Sequence, residues 1–303
     1  MIKTEPASTQ IVRRSVRVDG RQLSYLTAPL PGSDGTVLLI HGSGMSARYW
    51  TEQVRGLAPA RQVVALDLPG HGESDPIPEA SVEAYADAAA DFLTALRARS
   101  VFVAGHSLGG AVGLVLAARR PQVVEGLVLL SCCAKLPGPP AWIRSLFAFL
   151  PAPVRRSLFF TMARSLLYAP GASDHAISMG MQELAACRVE TMRRDLEAAD
   201  AMDLAQWARG LDVPALIMCG SRDAVTPPEL SQRLHELIPG SRLRIIEGSG
   251  HMLVLEAPER VNQEIRDFIG PGARRGSGGV RTSPAWGSLR RLLGGLRKVF
   301  GSR

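Results

Sequence analysis

The stretch Gly105-His106-Ser107-Leu108-Gly109 places a serine between two runs of different character. Before it lies Val101-Phe102-Val103-Ala104, suited to a buried strand, and after it a small, helix-compatible run from Gly110 to Ala118. A Gly-x-Ser-x-Gly between strand and helix is a nucleophile elbow, whose flanking glycines permit a strained turn that lifts the hydroxyl clear of the sheet. The turn also aims backbone N–H groups and a helix N-terminus at any oxyanion formed there. The alternative is a plain glycine-rich helix start, which the flanking strand and helix disfavour. The chemistry expected is nucleophilic attack by Ser107.

A serine hydroxyl needs a base, and the base needs a carboxylate to orient it. Among six histidines (His41, His71, His106, His175, His235, His251), only His251 follows the last strand-like run in a flexible loop, Gly248-Ser249-Gly250-His251. His235 falls within a helical pattern and reads as a surface residue. His175 lies at an expected helix start, His106 points away from the elbow by adjacency, and His41 reads as a loop brace. The acid should follow a neighbouring strand. The run 214–220 is such a strand, and Ser221-Arg222-Asp223 follows it. The other usual location, Ser131-Cys132-Cys133-Ala134-Lys135, supplies no carboxylate, so Asp223 is the expected acid; its alternative role is a turn or helix-cap aspartate. The oxyanion N–H groups are expected from Leu108 and Ser43, with Gly44 as the neighbour that could replace Ser43.

These residues require a scaffold of alternating elements. Residues 11–28 alternate around Asp19-Gly20, a hairpin signal. Strand-like runs at 36–41, 61–67, 101–105, 124–131, 214–220 and 242–247 then interleave with helical patterns near 47–57, 81–98, 109–119, 228–238 and 255–268. That rhythm implies a parallel sheet covered on both faces, opened by an antiparallel hairpin. Residues 134–211 break it. They start at Pro137-Gly138-Pro139-Pro140, show no clear strand and carry Trp142, Phe147, Phe149, Phe159, Phe160 and Met162. A helical insertion lying over the C-terminal edge of the sheet, where ligands bind in open α/β sheets, is the simplest account. A packing unit remote from the site is the alternative.

Composition narrows the class. A chain of 303 residues, 46% hydrophobic, can bury one large core with an insertion. No apolar run is long enough to span a bilayer, the first residues do not resemble a signal peptide, and the four cysteines form neither a disulfide framework nor a metal-binding pattern. A cytoplasmic setting is therefore expected, with no cofactor and no metal. The net charge of +7 belongs to residues 271–303, which hold eight Lys or Arg and no acid; the other 270 residues sum to −1. A nucleic-acid-binding core is not indicated.

Taken together, His41-Gly42-Ser43-Gly44, Asp67-Leu68-Pro69-Gly70-His71-Gly72-Glu73-Ser74, Gly105-His106-Ser107-Leu108-Gly109-Gly110, Gly220-Ser221-Arg222-Asp223 and Gly250-His251 resemble the α/β-hydrolase superfamily over roughly 20–270. The resemblance implies an α/β fold with a mostly parallel eight-stranded sheet, helices on both faces and a helical cap inserted after the sixth strand. The divisions it suggests are a core over 1–133 and 212–270, a cap over 134–211 and a basic tail over 271–303. It also implies a Ser107–His251–Asp223 triad, an acyl-enzyme and an apolar small-molecule acyl substrate. Serine at the elbow disfavours haloalkane dehalogenases and epoxide hydrolases, which place aspartate there. Meta-cleavage-product hydrolases, which cut carbon–carbon bonds, usually carry asparagine before the serine and tryptophan after the histidine, where this chain has His106 and Met252. Carboxylic ester hydrolysis is thus the first expectation, with carbon–carbon or lactone hydrolysis on the same triad as the alternative. A binding-only accessory protein is the reading from another class.

The tail adds a separate feature. After Gly276-Ser277-Gly278-Gly279, residues 286–300 place Leu289, Leu292, Leu293, Leu296, Val299 and Phe300 at helical spacing among arginines. This cationic amphipathic pattern fits peripheral contact with a membrane or a partner; a disordered solubilising tail is the alternative.

Overall fold

Each central strand buries two sets of side chains, and this decides the layering. In the strand Thr36–Ile40 (β3), Leu38 and Ile40 join one apolar cluster, while Val37 and Leu39 join another on the opposite face. The same division holds for Val64 and Leu66 against Val63 and Ala65 in Gln62–Leu66 (β4), because successive side chains of a strand point to opposite faces. Strands with no polar face must be covered on both sides.

The computed structural model describes residues 10–28, 35–58, 61–137 and 152–270. Val12–Val18 (β1) and Arg21–Ala28 (β2) pair antiparallel. Asp19 and Gly20 between them both have positive φ (47° and 79°), as a type I′ hairpin turn requires. β2 pairs antiparallel with β4, and the remaining strands are parallel: Val101–His106 (β5), Val124–Leu130 (β6), Ala215–Gly220 (β7) and Arg242–Ile246 (β8). The order across the eight-stranded sheet is β1-β2-β4-β3-β5-β6-β7-β8.

One face is covered by Val82–Ala95 (α2) and Leu108–Arg119 (α3), the other by Thr51–Leu57 (α1) and, late in the chain, Pro258–Ile269. Between β6 and β7 the described residues form Ala152–Leu167 (α4), Asp174–Ala186 (α5), Val189–Ala201 (α6) and the short Ala205–Arg209 (α7), with no strand among them. The core resumes after β7 with Pro228–Leu237 (α8), then Leu253–Glu256 (α9) and Pro258–Ile269 (α10). No helix among the described residues is long and apolar enough to cross a membrane. Trp142, Phe147 and Phe149 of the expected insertion, and the amphipathic pattern over 286–300, lie outside the described residues.

α3 is buried at every position from Leu108 to Ala117, so it must lie almost against the sheet. Two glycines permit that approach. A Cβ on Gly105 would sit 2.1 Å from the Gly109 carbonyl oxygen, and one on Gly109 would sit 2.2 Å from the Ile40 carbonyl oxygen. Gly109→Ala is therefore expected to destabilise the protein by about 3 kcal/mol, the cost of overpacking against backbone that cannot yield. Urea unfolding measures it; an unchanged midpoint would show that α3 moves away freely.

Candidate active site

Ser107 is the hinge between β5 and α3, with φ 53° and ψ −118°. This backbone is costly for any residue with a Cβ and persists only where neighbours enforce it. Here Ser107 N–H donates to the Leu130 carbonyl at the end of β6 (2.9 Å), and the Ser107 carbonyl accepts from Gly110 N–H (2.9 Å) and Ala111 N–H (3.2 Å). The side chain is left partly exposed at the C-terminal edge of the sheet. Leu108 is the first residue of α3, so its N–H has no acceptor within the helix.

Asp223 and His251 meet at the ends of β7 and β8. A Cβ on Gly220 would lie 2.2 Å from the Ser249 carbonyl oxygen, so only glycine lets these two chain ends pass. Arg222 N–H donates to the same carbonyl (2.9 Å) and locks the crossing. His251 Nδ1 then lies 2.9 Å from Asp223 Oδ2 and 3.1 Å from Oδ1, both residues being buried. Oδ1 also accepts from Val225 N–H (2.9 Å) and Thr226 N–H (2.8 Å), and Oδ2 from the Thr226 hydroxyl (2.9 Å). Burial alone would push the Asp223 carboxyl up. The His251 charge and the bonds from His251 and Thr226 outweigh it and hold the group down at about 2. Asp223 is thus held as an anion against His251 Nδ1, an arrangement that leaves Nε2 on the side of the ring away from the carboxylate. Among the described residues no hydrogen bond joins Ser107 Oγ to His251.

The loop after β3 closes the third side. An ideal Cβ on Gly42 would stand 3.2 Å from Ser107 Cβ, so this loop abuts the serine. His41, fully buried, braces it: Nδ1–H donates to the Gly42 carbonyl (2.9 Å) and Nε2 accepts Leu68 N–H (3.0 Å). Burial and the neighbouring His71 push His41 down to about 4, so it stays neutral in that role. Of the two N–H groups considered for the oxyanion, that of Gly44 is already given to Asp195 Oδ2 (3.1 Å); Ser43 N–H makes no bond among the described residues.

Several contributors escaped sequence reasoning. Thr226 fixes both oxygens of Asp223. His106 is buried, donates Nε2–H to the His251 carbonyl (2.9 Å) and packs against the His251 ring, so it supports that loop from below. Burial and His251 push it down to about 3. Glu256 Oε2 accepts Gly250 N–H and Ala169 N–H (3.0 Å each), tying the His251 loop to the insertion. Asp195 comes from α6, about ninety residues from Ser107 in sequence. Of these, only Thr226 lies close enough in sequence to its partner for a local signal, Asp-x-x-Thr after a strand. His235 bonds Ser241 Oγ on the surface of the core, and His175 is exposed at the start of α5, as read from sequence. Among the described residues no three His, Cys, Asp or Glu side chains gather to hold a metal ion. A cleft of 490 Å³ at the seam of loop 69–80 and α6 is lined by Arg21, Tyr85, Arg188 and Arg194 but by none of Ser107, Asp223 and His251.

A sheet of this order, with a strained serine after β5, a carboxylate after β7 and a histidine after β8, defines the α/β-hydrolase architecture. The chain belongs to the alpha/beta hydrolase family, whose model matches residues 37–264, and it is a hydrolase. It is 32% identical over 255 residues to the pimeloyl-[acyl-carrier protein] methyl ester esterase of Neisseria meningitidis serogroup B, covering 81% of this chain and 96% of that protein. Among solved structures it is similar to a thermophilic esterase from Thermogutta terrifontis (28% identity, TM-score 0.73, 86% of this chain and 98% of that one). A bacterial membrane phospholipase A is also similar (26% identity, TM-score 0.74, 86% of each chain).

The depressed carboxyl of Asp223 has a consequence for acid stability. Its contribution, about 2 kcal/mol, is present above the unfolded value near pH 4 and is lost as pH falls toward 2. Between pH 4 and pH 2, wild type should therefore lose about 2 kcal/mol more than Asp223→Asn in parallel urea titrations. Equal losses would mean that Asp223 is not held as an anion.

Proposed function

We propose that this protein hydrolyses a carboxylic ester of an apolar acyl group, with Ser107 as nucleophile, His251 as general base and acid, and Asp223 orienting the imidazole. The observation that carries the reading is the buried His251–Asp223 pair, with Nδ1 against the carboxylate and Nε2 on the side of the ring away from it, at the same sheet edge as a serine held at positive φ. His251 Nε2 takes the Ser107 proton as Oγ attacks the carbonyl. The developing oxyanion is held by Leu108 N–H, at the positive end of α3, and by Ser43 N–H. Collapse of the adduct passes the proton from His251 to the departing alcohol and leaves an acyl-enzyme. Water then repeats the sequence and frees the acid.

The ester is supported by the relative from Neisseria meningitidis, named for the methyl ester of a carrier-bound acyl chain, and by the similar esterase from Thermogutta terrifontis. The apolar acyl group is supported by Leu184 and Met192 of the insertion, which crowd Gly44 at the oxyanion loop. On this reading residues 134–211 act as a cap whose side chains shape the acyl site, between the core segments 1–133 and 212–270. A cytoplasmic setting goes with the same proposal, supported by the free cysteines Cys132, Cys133, Cys187 and Cys219.

Ser107→Ala should cut hydrolysis of short p-nitrophenyl esters by at least about 10³-fold while leaving the circular dichroism spectrum unchanged. A fluorophosphonate probe should label wild type and not this variant. Retained activity or labelling in Ser107→Ala would overturn the assignment.

A further inference from the structure

We propose that Asp195, a residue of the helical insertion, is a positioning residue for the oxyanion loop, so that the loop is set only when α6 is seated on the core. The inference rests on the serine-hydrolase reading above and concerns how one half of its oxyanion site is held.

The loop Gly42-Ser43-Gly44-Met45 is closed by Met45 N–H donating to the Gly42 carbonyl (3.2 Å), and Gly44 has φ +72°. A positive φ at the third position of such a turn is the type II pattern. Type I and type II turns differ by a flip of the central peptide, here the one joining Ser43 to Gly44. Within the core, Gly44 N–H has no acceptor; its only bond among the described residues is to Asp195 Oδ2, at 3.1 Å. A flip would turn the Ser43 carbonyl toward a carboxylate that is fully buried, where repulsion is poorly screened. The carboxylate itself cannot turn away. Tyr85 O–H donates to Oδ1 (3.0 Å) and His71 Nε2 meets Oδ2 (2.8 Å), while His71 Nδ1 faces the Pro69 carbonyl (3.2 Å). All three side chains are buried. Two core residues thus hold an insertion residue, and that residue holds a core loop.

The same helix is tied to the core elsewhere without touching this turn. Arg188 donates to the Gly70 and Ser74 carbonyls, and Thr191 O–H to the Gly70 carbonyl (2.9 Å). These contacts provide a control. If Asp195 only fastened the insertion, its loss and the loss of Arg188 would act alike, on substrate binding and stability. If it sets the oxyanion loop, its loss acts on the transition state.

The test is steady-state hydrolysis of p-nitrophenyl butyrate by the full-length chain, with fluorophosphonate labelling rates alongside. Asp195→Asn is expected to lower kcat about 10-fold and Asp195→Ala about 100-fold. KM should stay within about threefold and labelling should slow in step. Arg188→Gln should keep kcat within about threefold. An Asp195→Asn enzyme with unchanged kcat, or an equal fall of kcat in Arg188→Gln, would overturn the proposal. If neither Asp195 variant folds, hydrogen exchange at the wild-type Gly44 amide decides: slow exchange supports the bond, and exchange at the open-loop rate overturns it. Failure of the underlying reading is recognised separately, by activity that survives Ser107→Ala.

Discussion

Everything in this molecule depends on how closely α3 approaches the sheet. The elbow at Ser107 is strained, and strain persists only where the surroundings leave no other arrangement. Gly105 and Gly109 remove the two Cβ atoms that would hold α3 away from β3 and β5. With α3 seated, Ser107 N–H reaches the end of β6, the helix N-terminus faces the sheet edge, and the serine has nowhere to relax. The apolar clusters on both faces of the sheet supply the burial that sustains this arrangement.

Around that point the protein spends buried polar groups on loops rather than on the core. Asp67, fully buried, accepts Ala47 N–H through Oδ1 (2.6 Å) and pairs with Arg13 through Oδ2 (2.5 Å). A Cβ on Gly72 would fall 2.4 Å from its carboxyl carbon, so the Asp67–Ser74 motif is a folded brace in which the glycine makes room for the acid. His41, His71 and His106 are all buried and all bonded to a backbone carbonyl. They hold the loops around Ser107 and His251, a role the sequence suggested for His41 but not for His71 or His106. Buried charges and amides are worth this cost when they fix one loop geometry against its alternatives.

The positions of Ser107, His251 and Asp223 at the sheet edge were legible because each sits in a local pattern: glycine-flanked after a strand, in a glycine loop after the last strand, and in the turn after the strand before it. The central strands were legible because strands buried on both faces read as short apolar runs, and the more exposed β1 and β2 because they alternate around Asp19-Gly20. Asp195, Tyr85 and Glu256 were not legible. Asp195 and Tyr85 are ordinary polar residues on amphipathic helices, and nothing in their neighbours distinguishes a solvated face from one that meets a distant loop; Glu256 ends a short apolar helix, with no local sign that it caps Gly250 and Ala169. The sequence favoured Ser43 over Gly44 N–H, but that Gly44 N–H is given to Asp195 was closed to it.

The sequence by itself determined the order of elements, the strained turn and the places of Ser107, Asp223 and His251 after their strands, because these are set by residues within a few positions of one another. Only the tertiary structure decided how the insertion meets the core. That contact joins α6 to the loop after β3 across about 150 residues of chain, and a pairing so remote leaves no periodicity to read. It is decided by packing: which helix face is left once the sheet is covered, and which buried amide still lacks an acceptor.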